Sequence, residues 1–420
     1  MKIRILLPLL LALAVLQGCK SSSDSGTSTP NPSAVRLVNA TSNYPSLDLT
    51  ASGAVVASAV TYGSVSDYAG IASGASAITV NVAGSSIALA QSNFSLSPSI
   101  SYTLVAYTSG QQLQVASFAD NEVAPVSGNG KIRVMNLSPD AGSLDVYTVG
   151  AGGTLAAASA LATAGYSQVT AGTYSLWITG AGNKADLRLD VPSIVISDQQ
   201  VLSLILIGTP GGVLVNGVLV NQGGAVSAQQ NRSARVRVVA NIAANASITA
   251  TANGVSVASN LRSPVVGSYT LVPAGALSMS AVVNGNNVNV GSLNAAAGAD
   301  VTLLAVGDAA APQFFLLNED NRLPVSGMAK LRLVNGINGL GDNISLTADY
   351  SLLASDVAPG TVSATASVNS GTIFRLEVNA SQANTSLYLA TDVRVQSPGV
   401  YSLFMLGNNA APVGVLRRDR

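Results

Sequence analysis

Short apolar runs separated by clusters of Gly, Asn, Ser and Pro recur along almost the whole chain. Some runs alternate apolar and polar positions, as in 173–178 (TYSLWI), which predicts a half-buried β-strand. Others are almost entirely apolar, as in 201–207 (VLSLILI), which predicts a strand covered on both faces. No sustained helical period follows the N-terminal segment. The pattern therefore predicts an all-β protein.

Three markers recur four times in the same order. The first is an apolar strand that contains one arginine, at Arg36, Arg133, Arg237 and Arg332. The second follows 32 or 33 residues later, ends in glycine, and begins at Tyr68, Tyr166, Tyr269 and, with threonine in place of tyrosine, Thr365. The third is an apolar strand that begins 64 to 69 residues after the arginine. We predict four tandem domains of immunoglobulin-like β-sandwich architecture, with about seven short strands each.

The predicted boundaries follow from these markers and from the composition between them. Residues 20–33 (KSSSDSGTSTPNPS) are too polar to order themselves and predict a flexible tether. The predicted segments are a signal peptide over 1–18, the tether over 19–33, β-sandwich domains over 34–128, 129–222, 235–327 and 328–420, and a linker over 223–234. The motif PVSG precedes the second and fourth domains but not the third. We therefore expect two domain pairs with a looser hinge between them.

The N-terminus carries the pattern of a secretion signal. Lys2 and Arg4 precede an apolar run of about a dozen residues, shorter than the roughly 20 needed to span a bilayer. The run ends in Leu-Gln-Gly18-Cys19, which resembles a bacterial lipobox, and Cys19 is the only cysteine. The resemblance implies cleavage between Gly18 and Cys19, lipid attachment to Cys19, and a membrane anchor. Lys20, at the position after the cysteine, favours the outer membrane of the cell envelope.

Composition removes several classes of function. The chain has no histidine, so it lacks the commonest general base and the commonest metal ligand. Acidic and basic residues balance at 20 each, so no charged field attracts nucleic acid. We expect no catalytic residues, no metal and no cofactor. A protein or glycan ligand is left open as a partner.

The repeats resemble a known family. Residues 132–147 read IRVMNLSPDAGSLDVY, similar to the opening R-V-x-H/N-x-S-P-D-A-x-x-x-D-V-Y of a bacterial domain-of-unknown-function family. Tyr62 to Tyr68, with Gly74 beyond, is similar to that family's next element. The resemblance covers all four units, most clearly the first two, and implies a secreted or lipid-anchored protein without known catalytic activity. The family's histidine-like position holds Asn or Ala here.

The arginines and tyrosines are the sharpest recurrent polar residues. Because Asp48 and Asp145 each stand 12 residues after an arginine, we predict the structural pairs Arg36–Asp48 and Arg133–Asp145; a ligand clamp is the alternative. For the tyrosines we predict a hydroxyl tied to nearby backbone, as in a tyrosine corner, with an exposed recognition patch as the alternative.

Few acids cluster. Asp120 with Glu122 and Glu319 with Asp320 end the odd-numbered units, and solvated loop charge is the expected role, with glycoside hydrolysis or Ca²⁺ binding as alternatives. The terminal segment 417–420 (RRDR) is expected to be a solubilising tail, with contact to anionic lipid headgroups as the alternative.

The leading hypothesis is a non-catalytic, lipid-anchored envelope protein whose domains serve spacing, adhesion or ligand binding. One alternative is a carbohydrate-binding or carbohydrate-active accessory lipoprotein. Another is a structural subunit that assembles through strand edges.

Overall fold

A computed structural model describes residues 31–41, 43–109, 112–148, 154–158, 162–163 and 165–420. The predicted signal peptide, Gly18, Cys19, Lys20 and nearly all of the predicted tether lie outside the described residues. Ser33, predicted as the end of the tether, is the first residue of a strand and is buried. In the described part of the chain, no helix is both long and apolar enough to cross a membrane.

The strands fall into four successive units. Those of unit 1 are β1 (Ser33–Asn39), β2 (Ser46–Ala51), β3 (Ala54–Thr61), β4 (Ala69–Ile71), β5 (Gly74–Val82), β6 (Ala88–Leu96), β7 (Ser101–Ser109) and β8 (Gln112–Ala119). Those of unit 2 are β9 (Asn129–Asn136), β10 (Leu144–Thr148), β11 (Thr154–Ala158), β12 (Ala162–Thr163), β13 (Ser167–Thr170), β14 (Gly172–Gly180), β15 (Leu187–Ile196), β16 (Val201–Gly208), β17 (Val215–Asn221) and β18 (Val226–Gln229). A short 3₁₀ helix, Pro139–Ala141, follows β9.

The second half of the chain repeats this organisation. The strands of unit 3 are β19 (Ser233–Ile242), β20 (Ser247–Ala252), β21 (Val255–Arg262), β22 (Val265–Val266), β23 (Thr270–Pro273), β24 (Gly275–Leu277), β25 (Met279–Val283), β26 (Asn286–Val288), β27 (Leu293–Ala295), β28 (Asp300–Asp308) and β29 (Ala311–Glu319). Those of unit 4 are β30 (Met328–Asn335), β31 (Ile344–Ala348), β32 (Ser351–Val357), β33 (Ala366–Asn369), β34 (Gly371–Ala380), β35 (Ser386–Val395), β36 (Gly399–Asn408) and β37 (Ala411–Arg418).

Each unit is a sandwich of two principal sheets. In unit 1 the sheet orders are β4-β1-β7-β8 and β3-β2-β5-β6, and corresponding orders recur in the other units. The all-β sandwich architecture predicted from the sequence is confirmed. The first strand lies in the middle of its sheet and runs parallel to the strand of the third marker, as β1 does beside β7. This order differs from the ABED and CFG sheets of immunoglobulin constant domains.

The alternation of side chains explains where the core of each unit lies. Along β2, Leu47, Leu49 and Ala51 are buried while the residues between them are partly exposed, as expected for one covered face. In β14, Leu176 and Ile178 are fully buried and Trp177 is 39% exposed, which confirms the half-buried strand predicted there. Each unit has its own hydrophobic cluster between its two sheets.

Residues 201–207 are buried throughout, as predicted, because their strand, β16, is covered on both faces. One face lines the core of unit 2. The other belongs to a cluster that joins units 1 and 2, in which Val38 and Val105 meet Ile205 and Val218. A matching cluster joins units 3 and 4. The first-strand sheets of the units therefore pack in pairs, face to face.

The predicted loose hinge between the pairs is not what the structure shows. Within 223–234, the strand β18 adds to the edge of the unit 2 sheet by pairing with β17. Asn231 then follows, 5% exposed, and its side-chain nitrogen donates to the carbonyls of Arg188 (2.6 Å) and Val215 (3.0 Å). A segment rich in Gln, Gly and Ser is thus held by backbone pairing and a buried amide.

Candidate functional site

The four first-strand arginines occupy equivalent places. In each unit the neighbouring apolar residues point into the sandwich core, so the arginine points out of it toward the paired unit. Arg36, Arg237 and Arg332 are 1–2% exposed, and Arg133 is partly exposed. Because the guanidinium carries five donors and stays charged, burying it requires several acceptors.

The first acceptor is a hydroxyl directly across the parallel pair. Each arginine Nε donates to a Ser or Thr hydroxyl on the neighbouring strand, in the pairs Arg36–Thr103 (2.9 Å), Arg133–Ser203 (2.8 Å), Arg237–Thr302 (2.7 Å) and Arg332–Ser402 (2.6 Å). The two residues are register partners in every unit. The sequence contained a signal for this pairing, since one hydroxyl residue recurs in each apolar third marker.

The predicted Arg–Asp pairs are wrong. Asp48 accepts hydrogen bonds from the backbone N–H groups of Ala59 (2.7 Å) and Gly84 (2.8 Å), and Asp145 accepts from the N–H of Gly182 (2.8 Å). The reason is topological: these aspartates lie on β2 and β10, in the sheet opposite the arginine strands.

The position that Asp48 and Asp145 occupy in units 1 and 2 requires an oxygen acceptor rather than a negative charge. In unit 3 the equivalent residue Thr249 accepts from the backbone N–H of Asn260 at 3.1 Å. In unit 4, Ser345 accepts from that of Asp356 at 3.2 Å. Ala59, Asn260 and Asp356 all have positive φ, so the acceptor fixes a strained bend in the strand. Asp, Thr and Ser can therefore exchange at this position.

The tyrosines cover the arginines. The ring centroids of Tyr68, Tyr166 and Tyr269 lie 4.5, 4.8 and 4.6 Å from the guanidinium carbons of Arg36, Arg133 and Arg237. At these distances a desolvated cation–π contact contributes about 2 kcal/mol. The predicted tyrosine corner is wrong, because the Tyr68 hydroxyl donates to the Asp120 carboxylate (2.8 Å) and that of Tyr269 to Glu319. Burial and the adjacent Asp120 raise the pKa of Tyr68 to about 12.

The end of the last strand supplies a carboxylate in three of the four units. Asp120 accepts from the Thr103 hydroxyl at 2.6 Å, and Glu319 and Asp419 stand at the matching positions of units 3 and 4. Gln222 occupies this position in unit 2, where its side chain bonds the backbone of Glu122. The acid clusters are therefore not merely solvated loop charge: Glu319 is buried, and Glu122 pairs with Lys131 at 2.5 Å.

The arginine clusters meet at the interface between units 3 and 4. Arg237 bonds Glu319 of its own unit (2.6 Å) and Asp419 of unit 4, and Arg332 bonds Asp419 (2.7 Å). These four side chains are at most 1% exposed and their charges sum to zero. Burial alone would lower the pKa of Arg237, but Glu319, Tyr269 and Asp419 together raise it. The interface is thus a neutral, fully paired charge network, inside which a lone charge would be very costly.

The interface between units 1 and 2 uses carbonyls instead. Arg36 donates from Nη1 to the carbonyl of Gly224 (2.9 Å) and from Nη2 to that of Asn221 (3.1 Å), both in unit 2. Arg133 lies 5.4 Å from the ring of Phe118 in unit 1. In both pairs, therefore, the recurrent arginines reach across the joint between units.

A third set of contacts joins one pair to the other. Arg420 Nη1 donates to the carbonyl of Gly212 (3.2 Å) and Nη2 to that of Asp140, while the backbone N–H of Leu323 donates to the Asp140 carboxylate (2.8 Å). Burial, with Arg188 and Arg235 nearby, lowers the pKa of Arg420 to about 10. The predicted solubilising tail is therefore a structural element, with Asp419 and Arg420 in contact with other units.

The buried carboxylates have assigned contacts in the described part of the chain. The buried carboxylates Glu319 and Asp419 are already bonded to arginines. No group of three or more Cys, Asp or Glu residues in the described ranges is arranged to hold a metal ion. In the described part of the chain, the recurrent arginines and tyrosines place a buried charge where two units meet.

This architecture defines a class: a chain of tandem β-sandwich units joined by buried arginine contacts. A family model described as a domain of unknown function (DUF4397) matches residues 33–147 and 234–341, more than half of the chain. The chain belongs to the DUF4397 family. Each matched segment begins at the first strand of an odd-numbered unit and extends into the following unit.

Other comparisons add no functional information. No curated protein matches the chain. Among solved structures, the chain is similar to "The Bacillus anthracis TIE protein", with 10% identity and a TM-score of 0.14 over 74% of this chain. The match covers 58% of the length of that structure. A TM-score this low does not indicate a shared fold.

Proposed function

We propose that this protein is a non-catalytic, lipid-anchored component of the bacterial cell envelope whose β-sandwich domains form a rigid body for spacing, adhesion or binding. The main support for the proposal is that the recurrent polar side chains are engaged in contacts within and between units. Instead of lining an open site, the arginines and the Asp419 carboxylate fix neighbouring units to each other, and the tyrosines cover the arginines. Rigid joints suit a protein that holds a surface at a set distance from a membrane.

The proposed anchor is the lipid on Cys19, at the end of the lipobox-like Leu-Gln-Gly-Cys sequence. Several acyl chains would hold the protein firmly, whereas a single chain gives only reversible attachment. Lys20 supports sorting to the outer membrane. The polar segment that follows would set the domains off from the bilayer by a root-mean-square distance of roughly 20 Å.

The anchor is tested with the full chain expressed in a Gram-negative host. We expect the wild type to incorporate labelled palmitate and to sediment with outer membranes, and the Cys19→Ser variant to do neither. Ser21→Ala, two residues away, is the matched control and should behave as the wild type. Equal membrane association of wild type and Cys19→Ser would contradict the lipid anchor.

Ligand binding is the second candidate role, because one cleft of the molecule is lined by charged side chains and by two hydroxyls, of Thr365 and Ser367, that make no hydrogen bond to the described part of the chain. Its chemistry differs from that of the buried arginine clusters.

A further inference from the structure

A cleft lies where unit 1 approaches the joint between units 3 and 4. Its volume is about 620 Å³, within the range of small-molecule sites. Asn43 lines it from unit 1, Asp320 and Arg322 from the joint, and Thr365 and Ser367 from unit 4. Three separate parts of the chain thus converge on one concave surface.

The cleft exists where unit 4 departs from the repeat. In units 1 to 3 the second marker places a tyrosine ring against the first-strand arginine. Unit 4 has Thr365 instead, and Thr365 lines the cleft. Arg332 remains 1% exposed without a ring because Asn321, Ser402 and Asp419 satisfy its donors. The substitution therefore opens space without exposing the buried charge network.

The charged side chains of the cleft favour an anion. Arg322 and Lys330 outnumber Asp320, giving the lining a net charge of +1. Lys330 Nζ donates to the carbonyl of Arg322 (2.8 Å) and lies 3.5 Å from Asp320 Oδ2. An ammonium has three donors, so one remains for a ligand. Arg322 bonds Asp320 through Nε and Nη2, which leaves Nη1 with one long contact, 3.2 Å, to Asn43.

The remaining groups favour a ligand with hydroxyls and one apolar face. The hydroxyls of Thr365 and Ser367 make no hydrogen bond to the described part of the chain. The segment 323–325 (Leu-Pro-Val) forms an apolar wall, and Val325 is 61% exposed. We propose that this cleft binds a sugar that carries a carboxylate: the carboxylate meets Lys330 and Arg322, the sugar hydroxyls meet Thr365 and Ser367, and the ring lies on the apolar wall.

This proposal rests on the binding role proposed above and is tested independently of the lipid anchor. The probes are glucuronate, glucose and acetate, added to the full chain in detergent and followed by saturation-transfer difference NMR and titration calorimetry. We expect glucuronate to bind with a Kd on the order of 1 mM, since it has few atoms to contribute. Glucose and acetate should each bind at least about ten-fold more weakly, because each lacks half of the contacts.

Two variants fill the cleft. Thr365→Tyr restores the residue that the other units carry, and Ser367→Phe fills the cleft from an exposed position; both should abolish glucuronate binding. Thr372→Tyr, on the exposed part of β34, is the matched control and should bind as the wild type. Folding of each variant is checked by circular dichroism.

Glucuronate binding unchanged in a folded Thr365→Tyr or Ser367→Phe variant would overturn the proposal. So would equal affinity for glucuronate and glucose, or no glucuronate binding by the wild type. A failed binding test beside a positive palmitate-labelling test would refute the ligand site and leave the anchored, rigid body in place.

Discussion

Replacing Arg237 by methionine tests the buried charge network between units 3 and 4. The change leaves Glu319 and Asp419, both with fully buried side chains, to share the single remaining guanidinium of Arg332. Breaking a buried ion pair by removing one partner costs about 3–5 kcal/mol, because an uncompensated charge stays inside. For a folding unit of about 190 residues, this corresponds to a melting temperature lower by about 6–20 °C.

The assay is differential scanning fluorimetry of the full chain, with hydrogen exchange to locate the change. Because a chain of several units need not unfold in a single step, exchange should be read separately in β19, β28, β30 and β36. We expect faster exchange on both sides of the 3–4 interface and little change in units 1 and 2.

A second substitution separates charge from packing. Arg237→Met combined with Glu319→Leu leaves one carboxylate with one arginine, so the double variant should recover most of the lost stability. The control is Arg375→Met, which breaks the partly exposed Arg375–Glu377 pair and should cost less than about 1 kcal/mol. If Arg237→Met is as mild as Arg375→Met, the reasoning about the buried network is refuted.

Three further predictions concern single residues. Thr103→Val removes a hydroxyl that bonds both an arginine and a carboxylate, and should cost about 1–3 kcal/mol by thermal unfolding. Burial raises the pKa of Asp140, so its proton is held more tightly in the folded chain, and stability falls as pH rises through that pKa. Asp140→Asn should therefore melt at or above the wild-type temperature at pH 7, with the difference vanishing near pH 3. Gly298→Ala would place a Cβ 2.4 Å from that of Thr209 and should loosen the contact between pairs, measured by limited proteolysis; Gly254→Ala, also at positive φ but in open space, should not.

Each of these outcomes has a clear opposite. A Thr103→Val variant as stable as the wild type would mean that the buried arginine does not depend on the hydroxyl. An Asp140→Asn variant less stable at pH 7 than the wild type would mean that the ionised carboxylate is favoured in the fold. Equal protease resistance of the two glycine variants would mean that the Gly298 contact does not hold the pairs together.

The sandwich and its repeats were predictable because they depend on local patterns. Successive side chains of a strand point to opposite faces, so the sequence pattern indicates which faces are covered. The alternation along 173–178 therefore predicted one covered face, and the apolar run at 201–207 predicted two. The pairing of β1 with β7 was not predictable in the same way. It joins residues that are 67 positions apart, and the local sequence of neither strand indicates which strand will pair with it.

The wrong predictions at the candidate site also arise from contacts between residues that are far apart in the sequence. A 12-residue spacing suggested Arg36–Asp48, but strand order places the two side chains in opposite sheets. The environment of Asp419 was unpredictable for a further reason. Its partners Arg237 and Arg332 lie in two different units, so its burial depends on how whole units dock. The sequence did contain one usable signal, a Ser or Thr that recurs in the third marker of every unit. A comparison of the four markers could have identified it as the partner of the arginine.

We infer that arginine contacts between units hold the four units in one fixed arrangement. The most direct test is a distance measurement between units 1 and 4 in the full chain. Spin labels at Gln91→Cys and Thr372→Cys, in a Cys19→Ser background, can be read by double electron–electron resonance. We predict one narrow distance peak for the wild-type interfaces and a broadened one when Arg237→Met is added. A broad distribution without any interface substitution would contradict the claim.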